Sequence, residues 1–374
     1  MKEQPADIHV VGAGFVGLSF AVAAARDGFR VALLDQKPAP RVPDSPSANV
    51  IAVNPASADF LAEIDVWHRI RSDFRAPYQR MVVLDGTGTG AIEFDAEEAG
   101  LPVLGHIVDQ RMLIAALAEA AAETPGLTMA WETEATVSPG EVPLLVGADG
   151  AHSRIRESLG LRKIGFSYDQ VATTCLVRLS LAHEGVARQW FGESGPLALL
   201  PLVEPDLVAV VWSSFDDLSR LPPSAFLGRL EEASEGATAG AAVASDRFAF
   251  PLMQQQSLQY VTEGVALLGD AAHAIHPLAG QGANLGFADA RCLVTELAGA
   301  MIEGHVPGDL GVLKRYERAR KPHNYMAALA MEGFHRAFTS GMPLVGLARN
   351  LGLQFVQENK TLKQLAISVA SGRL

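Results

Sequence analysis

The apolar and polar positions of the first 35 residues alternate in a way that predicts a strand, a turn, a helix and a second strand. A short apolar run at residues 8–11 breaks into a glycine-rich turn, and a helical run of small and apolar residues follows. A second apolar run, residues 31–34, ends on Asp35. Short apolar runs bounded by glycine or charge are typical of buried strands, so we expect a βαβ unit here.

The rest of the chain contains further strand-like apolar runs and helical runs. A glycine loop at residues 86–90 joins two strand-like runs and predicts a hairpin, because no helix follows it. Alternating runs between residues 167 and 250, with interspersed Pro and Gly, predict an antiparallel sheet in a second lobe. The predicted helices are 56–70, 109–122 and a long one reaching about residue 303, and the other predicted strands are 81–84, 91–94, 144–147, 171–179, 189–191, 197–202, 207–213 and 265–268.

The first turn has the spacing of a dinucleotide fingerprint. Gly12 permits a tight turn, Gly14 allows a pyrophosphate to approach the backbone, and Gly17 allows the helix to pack closely on the sheet. The free amides and the positive dipole end of the helix face the phosphates. Asp35 stands where an acid receives ribose hydroxyls, so the sequence predicts a bound dinucleotide, either NAD or FAD.

Two later strands also end on an acid. The strand before Asp149 and Gly150 delivers Arg154 and Arg156 to the same region, although a plain Asp-Gly turn with a solvated basic helix start explains these residues equally well. The strand before Gly269 and Asp270 leads into a glycine-bearing loop whose amides can face a flat polar ring. Histidines 273 and 276 follow, but no set of carboxylates and histidines with ligand spacing surrounds them, so we expect no metal.

Composition narrows the class of protein. The 374 residues are 49% apolar and 19% charged, which suits an enzyme with a large buried core. A formal charge of −12 argues against sequence-independent nucleic-acid binding. Two distant cysteines, Cys175 and Cys292, and no signal-like or membrane-spanning run favour a cytoplasmic location.

Taken in this order, the three motifs resemble those of the single-component flavin monooxygenases of the para-hydroxybenzoate hydroxylase type. More closely, the chain looks like the ubiquinone-biosynthesis hydroxylases of that group. The matching motifs are Gly12 to Gly17, Asp149-Gly150 with Ser153 and Arg156, Gly269-Asp270, the segment Leu268 to Asp289 with His276 through Gly282 and Asn284-Leu285-Gly286, Arg315-Tyr316-Glu317-Arg318 with Arg320-Lys321, and Arg349-Asn350-Leu351-Gly352-Leu353.

The resemblance implies FAD as the bound cofactor, with NADPH or NADH as a transient co-substrate and O2 as the oxidant. It implies reduction of FAD, formation of a C4a-hydroperoxide and transfer of one oxygen to a phenolic ring, with no side chain identified as catalytic. Asp149 and Arg156 would serve transient NAD(P)H docking, and the loop with Pro277, Gly280, Gln281 and Gly282 would lie along the flavin. The implied cofactor-binding residues are Gly12, Gly14, Gly17, Asp35, Arg111, Asp149, Gly269, Asp270, Pro277, Gly280, Gly282 and Asn284.

We therefore expect an α/β fold with an α+β insertion, in which a Rossmann-like FAD-binding domain interleaves with an antiparallel substrate-binding sheet. The expected FAD-binding domain is discontinuous, the expected substrate domain interrupts it, and a helical segment ends the chain. The expected FAD-binding domain comprises residues 1–75, 100–165 and 264–335. The expected substrate domain comprises residues 76–99 and 166–263, and the C-terminal helical segment comprises residues 336–374.

The resemblance implies a prenylated phenol or quinone precursor as the small-molecule aromatic substrate. Other quinone-biosynthesis proteins and a second copy of the chain are candidate partners. The apolar tail from residue 341 carries four cations against one acid, which suits peripheral contact with the inner membrane. Packing of that tail on the core or on a dimer mate is the alternative.

Two departures and three rival functions accompany this interpretation. Asn49 stands where the family usually has an arginine near the cofactor, and the segment between Trp131 and Leu144 is shorter than usual. The rivals are a hydroxylase of a soluble aromatic, an NAD-dependent dehydrogenase, and a non-catalytic flavoprotein scaffold of a quinone-synthesis complex.

Overall fold

The computed structural model describes residues 5–86, 88–135, 140–275, 281–339 and 355–373. Within these ranges the chain forms three sheets with helices packed against them. In chain order the strands are β1 (Ile8–Val11), β2 (Val31–Leu34), β3 (Val50–Val53), β4 (Arg75–Tyr78), β5 (Arg80–Asp85), β6 (Ala91–Asp95), β7 (Gly105–Asp109), β8 (Leu127–Ala130), β9 (Leu144–Gly147), β10 (Lys163–Arg178), β11 (Val186–Gly192), β12 (Gly195–Pro201), β13 (Leu207–Ser214), β14 (Ala242–Val243), β15 (Phe248–Ser257), β16 (Val261–Thr262), β17 (Val265–Leu267) and β18 (His273–Ala274). The helices are α1 (Phe15–Arg26), α2 (Pro55–Glu63), α3 (Gln110–Glu123), α4 (Arg154–Ser158), α5 (Pro223–Ala233), α6 (Gln281–Ile302), α7 (Leu310–Thr339) and α8 (Lys360–Ser371).

A six-stranded sheet in the order β16-β17-β9-β1-β2-β8 forms the first layer. Strand β1 pairs in parallel with both β2 and β9, and β17 pairs in parallel with β9. Helix α1 is apolar on nearly every side, and its Leu18, Phe20 and Val22 are fully buried between this sheet and the neighbouring helices. Because the strands are parallel, the residues after β1, β2, β9 and β17 all lie at one edge of the sheet.

A nine-stranded sheet forms the second lobe. Its main path is β18-β15-β10-β13-β12-β11-β5-β6, with β14 paired beside β10. The pairs are antiparallel except for β11 with β5, which is parallel. Two tryptophans, Trp190 and Trp212, pack with Phe226 of α5 in a separate core on this sheet. The predicted fold class, a Rossmann-like layer interleaved with a mainly antiparallel sheet, is therefore confirmed.

The two large sheets meet directly. Strand β18, which follows β17 of the first sheet, pairs with β15 of the second through Gln255 with Ala274 and Gln256 with His273. A small third sheet, β3-β7-β4, is antiparallel throughout. The division into discontinuous FAD-binding and substrate domains stays a prediction, as do its boundaries.

Most predicted elements are present, with one error of extent. The hairpin of β5 and β6 is confirmed, and the helix predicted at 109–122 is α3, capped by Asp109. The helix predicted over 56–70 is wrong beyond α2, which ends at Glu63, because Asp65 adopts a φ of 65° that no right-handed helix accommodates. A short 3-10 turn at Trp67–Arg69 replaces its second half.

Helix α8 packs on the core of the protein. Ile367 is buried, and the Asn54 side chain donates to the Ala370 carbonyl at 3.0 Å. Two of the tail's cations pair with acids of the core, Lys363 with Glu98 at 2.7 Å and Arg373 with Asp59 at 3.1 Å. For the part of the tail that the structure describes, these contacts favour packing on the core. Arg349 lies outside the described residues.

Candidate functional site

The glycine turn after β1 is held in shape by its backbone. Gly12 has a φ of 106°, and a Cβ there would overlap the Ala148 carbonyl. A Cβ at Gly17 would overlap the Gly12 carbonyl and lie 3.1 Å from the Ala148 side chain. These two glycines are therefore required by close packing of the turn, of α1 and of the residue that precedes Asp149.

Gly14 differs from these two glycines, because the described contacts do not require a glycine at its position. Its φ of −70° suits any residue, and no described atom lies within 4 Å of where its Cβ would be. It caps α1, so the first amides of a 12-residue helix open toward the same space. A glycine at a helix N-terminus that no described contact requires fits a pyrophosphate group.

Asp35 at the end of β2 supports this turn from the side. Its Oδ2 accepts a hydrogen bond from the Ala13 amide at 2.6 Å, and its Oδ1 accepts one from the Lys37 amide at 2.7 Å. Each carboxylate oxygen has a further lone pair available for a ribose hydroxyl. The structure thus places Asp35 beside the turn, as the sequence predicts.

The turn after β9 presents Asp149 to the same edge. Its Oδ2 accepts from the amides of Arg154 at 2.7 Å and Ile155 at 3.2 Å, at the start of α4. Its Oδ1 is buried and receives no hydrogen bond from the residues that the structure describes. A buried acceptor without a donor is costly, so this atom fits a site that a ligand donor completes.

Arg156 is placed differently from the sequence interpretation. Its side chain is 1% exposed, and its guanidinium donates to the carbonyls of Ala151 and Ala271, both at 2.8 Å. Burial lowers its pKa below the ordinary arginine value. Such a buried group links the two acidic turns, and this geometry does not support direct docking of NAD(P)H by Arg156.

The turn after β17 interlocks with the first turn. Gly269 has a φ of 54°, and Val16 at the start of α1 lies 3.2 Å from the position of its Cβ. On α6, a Cβ at Gly286 would lie 2.5 Å from the same Val16 side chain. The glycines of two distant motifs therefore close around one residue of the fingerprint.

Asp270 lies at this edge of the sheet, in the turn after β17. Its side chain is exposed, yet the protein atoms around the carboxyl desolvate it and raise its pKa above the ordinary value, against a smaller opposite effect of His273. The carboxyl therefore has both solvent and protein atoms around it. This position fits a group that accepts ligand hydroxyls.

A buried polar network behind this turn is not predicted by the sequence. The fully buried carboxylate of Asp289 accepts from His273 Nε2 at 2.5 Å, Arg320 Nε at 2.8 Å and Asn324 Nδ2 at 3.0 Å. Burial alone would raise the pKa of Asp289, but these three partners hold it below its ordinary value. His273 and Asp289 lie in the motif segment from Leu268 to Asp289, and Arg320 accompanies the motif that begins at Arg315, but these motifs do not reveal that the side chains meet.

The start of α6 completes the edge. Gln281 and Gly282 are its first residues and are partly buried, whereas Pro277 and Gly280 lie outside the described residues. Asn284 is buried; its Nδ2 donates to the Ala52 carbonyl at 2.9 Å and its Oδ1 accepts from the Asn54 amide at 3.0 Å. These contacts show its side chain bracing α6 against β3 and α2, in place of the predicted contact with a cofactor.

Arg111 projects from the first turn of α3. Its guanidinium donates to Asp109 at 2.9 Å and to the Ser45 carbonyl at 2.7 Å, and its side chain is 43% exposed. Asn49 is also exposed, and its carbonyl accepts from the Gln110 amide at 2.9 Å. The structure thus places Asn49 beside the start of the helix that carries Arg111.

The described residues lack two kinds of feature. They contain no group of three or more His, Cys, Asp or Glu side chains that could hold a metal ion. They also contain no helix with the length and apolarity needed to cross a membrane.

Comparison with known proteins identifies the family. Residues 140–329 match the family described as "FAD binding domain", and residues 10–43 match "NAD(P)-binding Rossmann-like domain". The chain is 33% identical to the 3-demethoxyubiquinol 3-hydroxylase of Escherichia coli (strain K12), over 100% of both chains. This chain belongs to the ubiquinone-hydroxylase family of FAD-dependent monooxygenases. The human mitochondrial ubiquinone biosynthesis monooxygenase COQ6 is 31% identical, covering 98% of this chain and 92% of that protein.

A solved structure confirms the fold of this hydroxylase family. The p-nitrophenol 4-monooxygenase PnpA of Pseudomonas putida DLL-E4 superposes with a TM-score of 0.78 at 19% identity, covering 98% of both chains. Family membership makes FAD the resident cofactor, with NAD(P)H and O2 as co-substrates. The alternative of an NAD-dependent dehydrogenase is thereby excluded.

Proposed function

We propose that this protein hydroxylates the aromatic ring of a prenylated phenol or quinone precursor in ubiquinone biosynthesis. The observation that carries the proposal is the 33% identity, over the full length of both chains, to a hydroxylase named for 3-demethoxyubiquinol. Further relatives named for ubiquinone biosynthesis match 98% of the chain. The sequence match therefore supports a substrate of this class, and a soluble aromatic is the alternative.

The proposed FAD site is the carboxyl edge of the six-stranded sheet. Gly12, Gly14 and Gly17 would hold the pyrophosphate, with the open space at Gly14 facing it. Asp35 and Asp270 would accept hydroxyls at the two ends of the cofactor, because each is at the end of a parallel strand at this edge.

Further contacts are proposed on the same edge. Asp149 Oδ1, which has no donor among the described residues, suits a donor of FAD or of transient NAD(P)H. Arg111 is exposed enough to reach a phosphate once one of its present contacts is exchanged. The loop with Pro277, Gly280, Gln281 and Gly282, together with Gly269 and the backbone of Asn284, would lie along the ring system.

The protein's own contribution is positioning. When bound, FAD supplies the redox and oxygen chemistry of the reaction. The residues of the edge would fix the cofactor, and the seam of β18 with β15 would bring the substrate sheet against it while excluding water. No side chain is proposed as a nucleophile.

We also propose peripheral contact with a membrane surface, because a prenylated substrate dissolves in lipid. Helix α8 leaves Leu365 and Val369 exposed while its other face packs on the core. Liposome sedimentation of the intact protein and of a Leu365→Ser/Val369→Ser variant tests this role, and equal binding by both would contradict it. A homodimer and contacts with other quinone-biosynthesis proteins stay predictions.

Mass spectrometry of isoprenoid lipids from cells lacking this protein tests the function. We expect a prenylated phenol that lacks one ring oxygen to accumulate, and the wild-type gene to remove it. An unchanged quinone pool would direct attention to a soluble aromatic. Restoration by a Gly14→Trp variant that binds no FAD would instead indicate a non-catalytic scaffold.

A further inference from the structure

The buried carboxylate of Asp289 connects three elements at one point. It belongs to α6, two of its donors, Arg320 and Asn324, belong to α7, and a third donor, His273, belongs to β18. The amide of Gly269 is also directed at its Oδ2, at 3.4 Å. Both ends of the short segment from Gly269 to His273 are thus attached to one acid.

That segment carries Asp270 between its two attachment points. Asp270 is exposed, whereas His273 is 1% exposed and its side chain contacts Asp289. The ring of His273 lies 5.8 Å from the ring of Tyr260 in a stacked arrangement, which limits its rotation. The backbone of His273 pairs with Gln256 of the nine-stranded sheet. The position of His273 therefore fixes Asp270 on one side and the seam between the sheets on the other.

We propose that His273 and Asp289 are positioning residues for FAD. The contact between His273 Nε2 and the Asp289 carboxylate holds the segment that presents Asp270, and Arg320 with Asn324 keeps that carboxylate ionised and oriented. Loss of the contact leaves Asp270 free to leave its productive position, so FAD binds more weakly. The inference requires FAD but not the substrate proposed above, and a FAD titration needs no substrate.

Two amide substitutions at one position provide the test. In His273→Gln the side-chain amide stands near the place of Nε2 and reaches Asp289, whereas in His273→Asn it is one methylene shorter and does not. FAD is titrated into the apoproteins and followed by flavin fluorescence, and thermal unfolding of each apoprotein is recorded. A hydrogen bond to a charged group corresponds to about a 10- to 100-fold change in affinity. We therefore expect His273→Asn to bind FAD more weakly than the wild type by about this factor. His273→Gln should retain most of the wild-type affinity for FAD.

The matched control is Glu296→Gln. Glu296 is also an acid of α6 paired with an arginine of α7, Arg315, at 2.8 Å, but it does not contact the segment that carries Asp270. We expect wild-type affinity for FAD in this variant. Equal FAD affinities of His273→Gln and His273→Asn, or an equal loss in Glu296→Gln, would overturn the proposal whatever the unfolding temperatures are.

Discussion

At the scale of single residues, the three glycines of the first motif are not all needed for the same physical reason. Gly12 and Gly17 are imposed by contacts within the protein, whereas Gly14 faces open space and has an ordinary φ. Because the described contacts do not require glycine at position 14, we infer that a bound ligand is the reason for it. Substitutions at these positions should therefore separate folding from cofactor binding.

We predict that Gly14→Trp yields a folded protein that does not bind FAD. The added side chain meets no described atom near its Cβ but fills the space before α1. Thermal unfolding of the apoprotein should match the wild type, and a FAD titration should show at least about a 100-fold loss, because phosphate contact with the helix amides is blocked.

Gly12→Ala is the contrasting variant. A left-handed φ costs an alanine about 1 to 2 kcal/mol, and overlap with the Ala148 carbonyl adds to that strain. Urea unfolding should show at least this loss in the free energy of unfolding. A Gly12→Ala protein as stable as Gly14→Trp would contradict the distinction between the two glycines.

At the scale of elements, α7 fastens the strand that carries the third motif. The buried hydroxyl of Tyr316 donates to the Leu267 carbonyl at 2.8 Å, and Glu317 accepts from the Tyr260 amide at 2.8 Å. Arg320 and Asn324 follow on the same face of the helix. The motif from Arg315 to Lys321 thus supplies contacts to β17, to the residue before β16 and to Asp289 of α6.

We predict that Tyr316→Phe lowers the free energy of unfolding by about 1 to 3 kcal/mol, because it leaves the Leu267 carbonyl buried without this donor. The measurement is equilibrium urea unfolding of the apoprotein. Tyr325→Phe removes a hydroxyl from the same helix at a side chain that is 45% exposed, and it should leave stability unchanged. Equal losses in both variants would mean that the hydroxyl of Tyr316 contributes nothing specific.

Sequence patterns predict local elements better than contacts between distant ones. The fingerprint, the hairpin and α3 follow from glycine spacing, alternation and a capping Asp109. Strand β15 is missed because three glutamines and Pro251 interrupt its apolar pattern. The Asp289 network is missed because its members are far apart in sequence and meet only when α6, α7 and β18 are assembled.

Site residues divide in the same way. The acids Asp35 and Asp270 stand after the ends of β2 and β17, where the sequence places them. Arg156 and the Asn284 side chain belong to the right motifs, but their polar atoms are used for bracing. Motif membership indicates which loop a residue belongs to, while the direction of its side chain depends on packing.

At the scale of the whole molecule, two histidines make stability depend on pH. Burial lowers the pKa of His9 in β1, and burial together with Arg75 lowers the pKa of His106 in β7. A folded-state pKa below the unfolded value of about 6.5 means that the unfolded chain binds protons first as pH falls. The stabilising effect is therefore complete above about pH 6.5 and is lost as pH falls toward the folded-state values.

We predict a lower free energy of unfolding at pH 5.5 than at pH 7.5, measured with urea. The difference should shrink in His106→Gln, because the substitution removes one group that must stay neutral in the folded state. An undiminished difference in His106→Gln would assign the pH dependence to other groups.

The position of β17 in the first sheet affects how this sheet folds during synthesis of the chain. Strand β9 is buried along its whole length, and one of its two neighbours, β17, is synthesised only after strands β10 to β15 of the second lobe. Until Val265 has left the ribosome and paired with Leu145, β9 keeps an open, apolar edge that other chains can join. Fragments that end before this strand should aggregate during expression, and slow decoding ahead of residue 265 should lower the yield of active protein more than slow decoding after it.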